Sequence, residues 1–195
     1  MKRLFDIFFS LVGIILLLPF FIVLGFLVKL TSNGPVFFRQ WRVGLNGREF
    51  QLLKFRSMHV NADQKGLLTV GGRDPRVTST GYFLRKYKLD ELPQLWNVLT
   101  GDMSLVGPRP EVRKYVDLYN NEQKRVLSVR PGITDYASLQ YFEENELLAK
   151  SADPEKTYIE EVMPAKLKLN LQYIEEAGLL TDIKLIFKTL SRMAS

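Results

Sequence analysis

The stretch Leu89-Asp90-Glu91-Leu92-Pro93-Gln94-Leu95-Trp96-Asn97-Val98-Leu99 fixes the start of a central helix. Pro93 has no backbone N–H and is tolerated only in the first helical turn, so the helix is predicted to begin near Asp90. The exposed N–H groups and the dipole of that turn favour an ionised carboxylate. An ordinary capped helix has the same pattern, so these residues alone leave a catalytic and a structural role open.

Glu91 directly follows Asp90, so the two side chains point in different directions and need not share a proton. Two carboxylates placed in this way can take separate tasks. One can act as a nucleophile, and the other as a general base or a metal ligand. The chain contains no cysteine, which excludes thiol catalysis and thiolate metal sites.

An uncharged apolar segment runs from Ile7 to Val28, close to the N-terminus. As a helix it would be roughly 33 Å long, enough to cross a bilayer core. Pro19 lies in its middle and favours a kink. Basic residues stand on both sides of it, at Lys2, Arg3 and Lys29. Basic flanks at both ends fit a re-entrant helix that bends at Pro19 and returns to the same face, and a kinked single-pass anchor fits the pattern about equally well.

The rest of the chain is predicted to be α+β and mainly helical. Two short strands, at 36–38 and 50–55, flank Gly44-Leu45-Asn46-Gly47 and predict a β-hairpin. A polar loop is predicted over 61–80, and helices near 80–87, 91–100, 111–128, 156–176 and 180–193. The last helix carries Ile183, Ile186, Phe187 and Leu190 on one face and basic residues on the other. That pattern fits either core packing or an amphipathic helix at a membrane interface.

Several cations are candidates for binding an anionic substrate, in a chain with a net charge of +6. Pro108 and Pro110 bracket Arg109 and hold the backbone extended around its guanidinium. Arg130-Pro131-Gly132 repeats this arrangement. Lys54 and Arg85 are further candidates. The cations are scattered over turns rather than arranged in a stripe with aromatics, which argues against nucleic acid as a partner.

Taken together, these segments resemble the small bacterial sugar transferases, the monotopic phosphoglycosyl transferases that start glycan assembly on polyprenol phosphate. The resemblance covers about residues 1–134, and the stretch 89–94 is its most specific part. The other matching segments, in chain order, are Lys2-Arg3-Leu4-Phe5-Asp6, Arg42-Val43-Gly44, Lys54-Phe55-Arg56-Ser57-Met58, Asp74-Pro75-Arg76-Val77-Thr78, Asn97-Val98, Gly101-Asp102-Met103, Val106-Gly107-Pro108-Arg109-Pro110 and Arg130-Pro131-Gly132-Ile133-Thr134.

The resemblance implies a re-entrant membrane helix over 1–30 and a cytoplasmic catalytic domain over 31–195, at the bacterial inner membrane. It implies that Asp90 attacks the β-phosphate of a UDP-sugar, that UMP leaves, and that polyprenol phosphate then takes the phospho-sugar. Magnesium is expected near Asp90 and Glu91, with Glu91 as base or metal ligand. Arg109, Arg130, Lys54 and Arg85 are expected to bind phosphate.

Two positions depart from the family's usual pattern. Asp135 follows the Ile133-Thr134 pair where glycine is usual, and Asn170 stands where an aspartate is common. The C-terminal third is the part expected to select the sugar. Two alternatives to the transferase remain: a catalytically inactive membrane scaffold of a glycan-assembly pathway, and a phosphohydrolase that uses the same acidic pair. The sequence leaves open the sugar, the polyprenol, the pathway and whether the protein forms a homodimer.

Overall fold

The structure is a computed structural model that describes residues 1–71 and 74–194, without the side chains of Asp63, Lys65 and Ala194. Gly72 and Arg73, inside the predicted loop, lie outside the described residues. The helices are α1 (Lys2–Thr31), α2 (Ser79–Lys86), α3 (Gln94–Thr100), α4 (Arg113–Val116), α5 (Tyr136–Gln140), α6 (Glu144–Ala149), α7 (Pro154–Thr157), α8 (Met163–Glu176) and α9 (Leu179–Ala194). The strands are β1 (Phe37–Val43), β2 (Glu49–Phe55), β3 (Ser104–Val106) and β4 (Gly132–Thr134).

Helix α1 is the one helix of the described residues that is long and apolar enough to cross a membrane. The helix continues through Pro19. Much of its surface is exposed and apolar, as expected of a helix in contact with lipid. The exposed large side chains include Phe8, Ile15, Leu16, Ile22, Val23, Phe26 and Leu30.

Both ends of α1 contact the rest of the protein. At its start, Lys2 pairs with Asp182, and Arg3 donates to the carbonyl oxygens of Val98 and Leu99. Asp6 is also docked there. Its Oδ1 accepts hydrogen bonds of 3.1 Å from Ser104 Oγ and from the N–H of Leu105.

The far end of α1 is buried against a different part of the same domain. Leu24 and Val28 pack in one cluster with Phe55 of β2 and Leu84 of α2. Arg56 Nη2 donates to the carbonyl oxygen of Ser32, 2.7 Å away. Both ends of this helix are therefore held by the rest of the protein.

The predicted hairpin is confirmed. Strands β1 and β2 pair antiparallel, with Phe37 opposite Phe55 and Val43 opposite Glu49, and a 3-10 turn at Leu45–Gly47 connects them. Asn97 of α3 joins the hairpin to the central helix, because its side chain accepts from Leu53 N–H and donates to Gln51 O. The end of β2 consequently lies beside the acidic pair.

A parallel strand pair that sequence reasoning did not predict brings the two proline-containing motifs together. Strands β3 and β4 pair in parallel, with Ser104 opposite Gly132 and Val106 opposite Thr134. The backbones approach so closely that a Cβ on Gly132 would lie 2.0 Å from Gly107 N, so only glycine fits there. Arg109 and Asp135 follow these strands and therefore become neighbours.

The main hydrophobic core lies between the β1 end and the C-terminal helices, and includes Val43, Tyr115, Tyr158 and Leu167. A π-helical turn at Tyr158–Val162 connects α7 with α8 into one continuous helical segment. In α9, Leu185 is buried, whereas Phe187 and Leu190 are largely exposed. Simple core packing therefore does not account for the apolar face of α9.

Two predicted helices need correction. The helix predicted at 91–100 begins at Gln94, and Asp90 lies in a separate 3-10 turn, Leu89–Glu91. The helix predicted at 111–128 is divided into α4 and a 3-10 segment, Gln123–Ser128. Within it, the side chains of Asn120 and Gln123 bond to each other's backbone N–H and form a local turn instead of a helix.

Candidate active site

A cavity of about 850 Å³ opens beside the acidic pair, and residues from most parts of the fold line it. Its lining differs from one region to another. Asp90 and Glu91 contribute carboxylates, and Lys54, Arg85, Lys88 and Arg109 contribute cations. Apolar side chains from α1 and α9 line another part: Phe5, Phe9, Leu17, Ile183, Ile186, Phe187 and Leu190. The cavity thus offers charged surface for an anion and apolar surface for a hydrocarbon.

Asp90 is held at the cavity wall by the local backbone. Lys88, just before the turn, has a left-handed backbone with φ 53°, which sharply reverses the chain between α2 and the acidic pair. The Asp90 side chain is buried, with 5% of its surface exposed. Burial raises the pKa of this carboxyl, which outweighs the opposing effect of the nearby Lys54 ammonium. Among the described residues no salt bridge holds the Asp90 carboxylate, so its ionised form is available to act as a nucleophile.

Glu91, by contrast, is fixed between two cations. Lys54 Nζ lies 2.9 Å from Glu91 Oε1. The Arg109 guanidinium binds both oxygens, with Nη1 3.1 Å from Oε2 and Nη2 donating to Oε1. Burial alone would raise the pKa of Glu91, but Arg109 and Lys54 hold it well below its usual range. An ionised carboxylate that is this well paired is a poor general base.

The described structure brings three of the four predicted phosphate-binding cations to the cavity: Lys54, Arg85 and Arg109. Arg85 is oriented by a 2.8 Å hydrogen bond from Nη2 to Thr69 Oγ1. Burial lowers the pKa of Lys54 despite its contact with Glu91. Arg130 does not line the cavity; its exposed Nε donates to Gly101 O, 2.9 Å away. Its position does not favour the phosphate-binding role predicted for it.

The prolines beside Arg109 have roles that their positions in sequence only partly indicated. The carbonyl oxygen of Pro108 accepts from Gly132 N–H at 3.0 Å, and that of Pro110 accepts from Arg42 Nη1 at 3.1 Å. The Arg109 N–H itself donates to Asp135 Oδ2 at 3.1 Å. Hydrogen bonds therefore fix the backbone at Arg109 and on both sides of it, as expected from the two flanking prolines.

Sequence reasoning missed several cavity residues. Lys88 lines the cavity, and burial lowers the pKa of its ammonium. Its position next to Leu89-Asp90 is the signal that could have identified it. Glu111 also lines the cavity and links Arg42 Nη1, at 2.7 Å, to the Tyr158 hydroxyl, at 2.9 Å. No local pattern indicates that link, because its members are far apart in the chain.

The donor set fits magnesium at Asp90 better than at Glu91. Mg²⁺ is usually bound by one or two carboxylates, with water and substrate phosphates completing its coordination. The Asp90 carboxylate meets that requirement in the cavity. Both oxygens of Glu91 are already taken by Arg109 and Lys54. No cluster of three or more acidic or histidine side chains suited to a metal occurs among the residues described.

An exposed apolar helix joined to a cavity with a buried carboxylate pair, several cations and an apolar wall is typical of a membrane-associated protein. The whole chain, residues 1–195, matches the sequence model of a family described as "bacterial sugar transferase". The protein belongs to the bacterial sugar transferase family.

Three relatives illustrate the similarity. The UDP-N-acetylgalactosamine-undecaprenyl-phosphate N-acetylgalactosaminephosphotransferase of Aeromonas hydrophila is 40% identical over 192 residues, which is 97% of this chain and 42% of that protein. The UDP-glucose:undecaprenyl-phosphate glucose-1-phosphate transferase of Escherichia coli K12 is 39% identical over 97% of this chain and 39% of its own length. A Caulobacter vibrioides protein of the same name is 36% identical over 96% of this chain and 67% of its own.

Proposed function

We propose that the protein is a phosphoglycosyl transferase that moves a sugar-1-phosphate from a UDP-sugar to polyprenol phosphate and releases UMP. The observation that carries this proposal is the position of Asp90, a buried carboxylate on a cavity that has both a cationic and an apolar part. The relatives' names support both the donor and the undecaprenyl phosphate acceptor. Because the chain spans about two fifths of the first two relatives, the activity is a proposal for this protein.

Two displacements at the same phosphorus account for the reaction. An Asp90 oxygen attacks the phosphorus that carries the sugar, and a new O–P bond forms. The bridging P–O bond breaks, and its electron pair leaves with UMP. A phosphate oxygen of polyprenol phosphate then attacks the same phosphorus and breaks the Asp90 O–P bond. The product is a polyprenol diphosphate sugar, and the Asp90 carboxylate is regenerated.

The cations around Asp90 stabilise the charge that develops during these displacements. Lys54 and Arg109 are held by Glu91, so they are positioned before the substrate enters. Glu91 therefore positions these cations, and a role for it as a general base is the less favoured alternative. Magnesium bound at Asp90 and the diphosphate would neutralise further negative charge on the departing UMP.

We also propose that α1 is re-entrant and that the domain lies on the cytoplasmic face of the bacterial inner membrane. A single-pass helix would place Lys2 and Ser32 on opposite faces, yet both ends contact one polar domain. The basic residues at both ends of α1 favour the cytoplasmic side. The exposed Phe187 and Leu190 of α9 support interfacial contact beside it.

The experiment that tests the function measures UMP release from a panel of UDP-sugars, with magnesium and undecaprenyl phosphate in detergent. The wild-type protein is expected to form UMP and to need the lipid acceptor for continued turnover. Asp90→Asn is expected to form no UMP. Free sugar phosphate formed without the acceptor would identify a phosphohydrolase instead. Absence of UMP from every donor would favour the scaffold alternative.

A further inference from the structure

Two buried polar atoms beside the cavity have no hydrogen-bond partner in the part of the chain that the structure describes. They are Oγ of Ser138, on α5, and Oδ1 of Asn170, on α8. Both residues line the cavity, and Asn170 has only 4% of its surface exposed. The two helices pack together here, with the rings of Tyr136 and Tyr173 6.2 Å apart. The wall of the cavity that α5 and α8 form therefore carries both residues.

Such atoms indicate a missing hydrogen-bonding partner. Buried side-chain polar atoms in folded proteins almost always bond to protein or water, because leaving them unpaired destabilises the fold. Both residues line the cavity, so a ligand that enters it would supply that partner once the two side chains reorient toward it. A hydroxyl and a carboxamide together can both donate and accept hydrogen bonds.

A short chain of contacts ties this wall to the acidic pair. Arg109, which binds Glu91, donates its backbone N–H to Asp135 Oδ2. The other carboxylate oxygen of Asp135 accepts from the N–H of Ser138. Asp135 is fully buried, so this link is shielded from solvent. The Asp135 side chain thus fixes the backbone of Arg109, which binds Glu91, and the start of α5, which carries Ser138.

The chemistry of the wall distinguishes among the parts of the proposed substrates. Phosphate groups need cations, which the cavity provides at Lys54, Arg85, Lys88 and Arg109. A prenyl tail needs apolar surface. Ser138 and Asn170 are neutral and polar, which matches sugar hydroxyl or acetamido groups. Uracil is also neutral and polar, but a ribose and a second phosphate separate it from the phosphorus that Asp90 attacks.

We infer that Ser138 and Asn170 recognise the sugar of the donor, and that Asp135 positions Ser138 relative to Arg109. This inference rests on the proposed function and adds the residues that select among UDP-sugars.

The test uses the full chain in detergent with magnesium and undecaprenyl phosphate. It measures kcat/KM for UMP release from UDP-glucose, UDP-galactose, UDP-N-acetylglucosamine and UDP-N-acetylgalactosamine. The variants are Ser138→Ala and Asn170→Ser. Ser128→Ala is the matched control, because Ser128 is exposed at the end of the 3-10 segment Gln123–Ser128, away from the cavity lining, and its hydroxyl donates to Arg125 O. Thermal unfolding midpoints accompany each kinetic measurement.

For each wall variant, kcat/KM for the best donor should fall about 3- to 10-fold, while donors that lack the matching group change little. The ratio of kcat/KM between donors therefore shifts in each wall variant, and it stays unchanged in Ser128→Ala. Equal losses for all four donors would overturn the inference and leave the proposed function standing. Absence of UMP from the wild-type protein with every donor would remove the proposed function and the inference together. Ser138→Ala retains the backbone N–H bonded to Asp135, so it carries the test even if Asn170→Ser unfolds.

Discussion

Arg109 binds both carboxylate oxygens of Glu91, whereas Asp90, the preceding residue, forms no comparable ion pair within the part of the chain that the structure describes. Two adjacent acidic side chains therefore have different electrostatic environments. Glu91 is held ionised by Arg109 and Lys54, whereas burial raises the pKa of Asp90. Under the proposed function, this difference makes Glu91 the residue that positions the cations and Asp90 the residue that attacks phosphorus.

Substitution Glu91→Gln should shift the acidic limb of the pH profile to lower pH. The Glu91 charge helps to raise the pKa of Asp90, so its removal makes Asp90 easier to ionise. At neutral pH, kcat/KM should nevertheless fall roughly 100-fold, because Lys54 and Arg109 lose the group that positions them. UMP release measured across pH checks both effects, with Glu122→Gln as control. A shift to higher pH would contradict the assignment.

Substitution Lys54→Met should shift the acidic limb of the pH profile to higher pH. The Lys54 ammonium lowers the pKa of Asp90, so its loss raises that pKa, and the ionised nucleophile disappears at a higher pH. Activity is expected to fall as pH decreases through the Asp90 pKa in every variant. Lys124→Met, a substitution of an exposed lysine away from the cavity, is the control. Identical limbs in Lys54→Met and wild type would show that Lys54 does not act on Asp90.

Substitution Asp6→Ala should weaken the attachment of the start of α1. It leaves Ser104 Oγ and the Leu105 N–H without their acceptor, which costs about 1–3 kcal/mol per buried group. For a chain of this length, each kcal/mol corresponds to a fall of about 2–4 °C in Tm. Thermal unfolding in detergent measures the Tm of Asp6→Ala and that of Asp102→Ala, a control in which the substituted aspartate is exposed. Equal Tm values for the two variants would mean that Asp6 does not anchor the helix.

The topology of α1 can be measured directly, since the chain has no native cysteine. Single cysteines at Leu4 and Asn33 flank the helix core and are both exposed. In sealed inverted membrane vesicles, a membrane-impermeant maleimide should label Asn33→Cys, and Leu4→Cys should be labelled from that face or protected by lipid. Labelling of Leu4→Cys only from the opposite face would establish a single-pass helix and refute the re-entrant proposal.

The sequence predicted the parts of the fold that local patterns determine. The hairpin was predicted from strands around a glycine-rich turn, α1 from a long uncharged apolar segment, and α9 from apolar residues at helical spacing opposite a basic face. The start of α3 was misplaced because Pro93 permits a 3-10 turn before the helix as readily as an α-helical first turn. The β3–β4 pair could not be predicted, since two three-residue strands carry almost no periodicity and pair in parallel across 25 intervening residues.

The candidate site was predicted in composition but not in arrangement. Asp90, Glu91, Lys54, Arg85 and Arg109 were all recognised as candidates, and all line the cavity. What the sequence did not reveal is which cation contacts which carboxylate, because Lys54 and Glu91 are 37 positions apart. Arg130 resembled Arg109 in its proline context, yet only Arg109 is directed to Glu91. Tertiary structure distinguishes two similar local sequences.

The most direct test of the central claim is to look for a phospho-sugar covalently bound to Asp90. The purified protein is mixed with magnesium and its preferred UDP-sugar, without lipid acceptor, and analysed by intact-protein and peptide mass spectrometry while UMP is quantified. The account predicts a single burst of UMP, at most one per protein, and a sugar-phosphate adduct on the peptide containing Asp90. Asp90→Asn should show neither. Acceptor-dependent turnover without any adduct, or an adduct that persists in Asp90→Asn, would contradict Asp90 as the nucleophile.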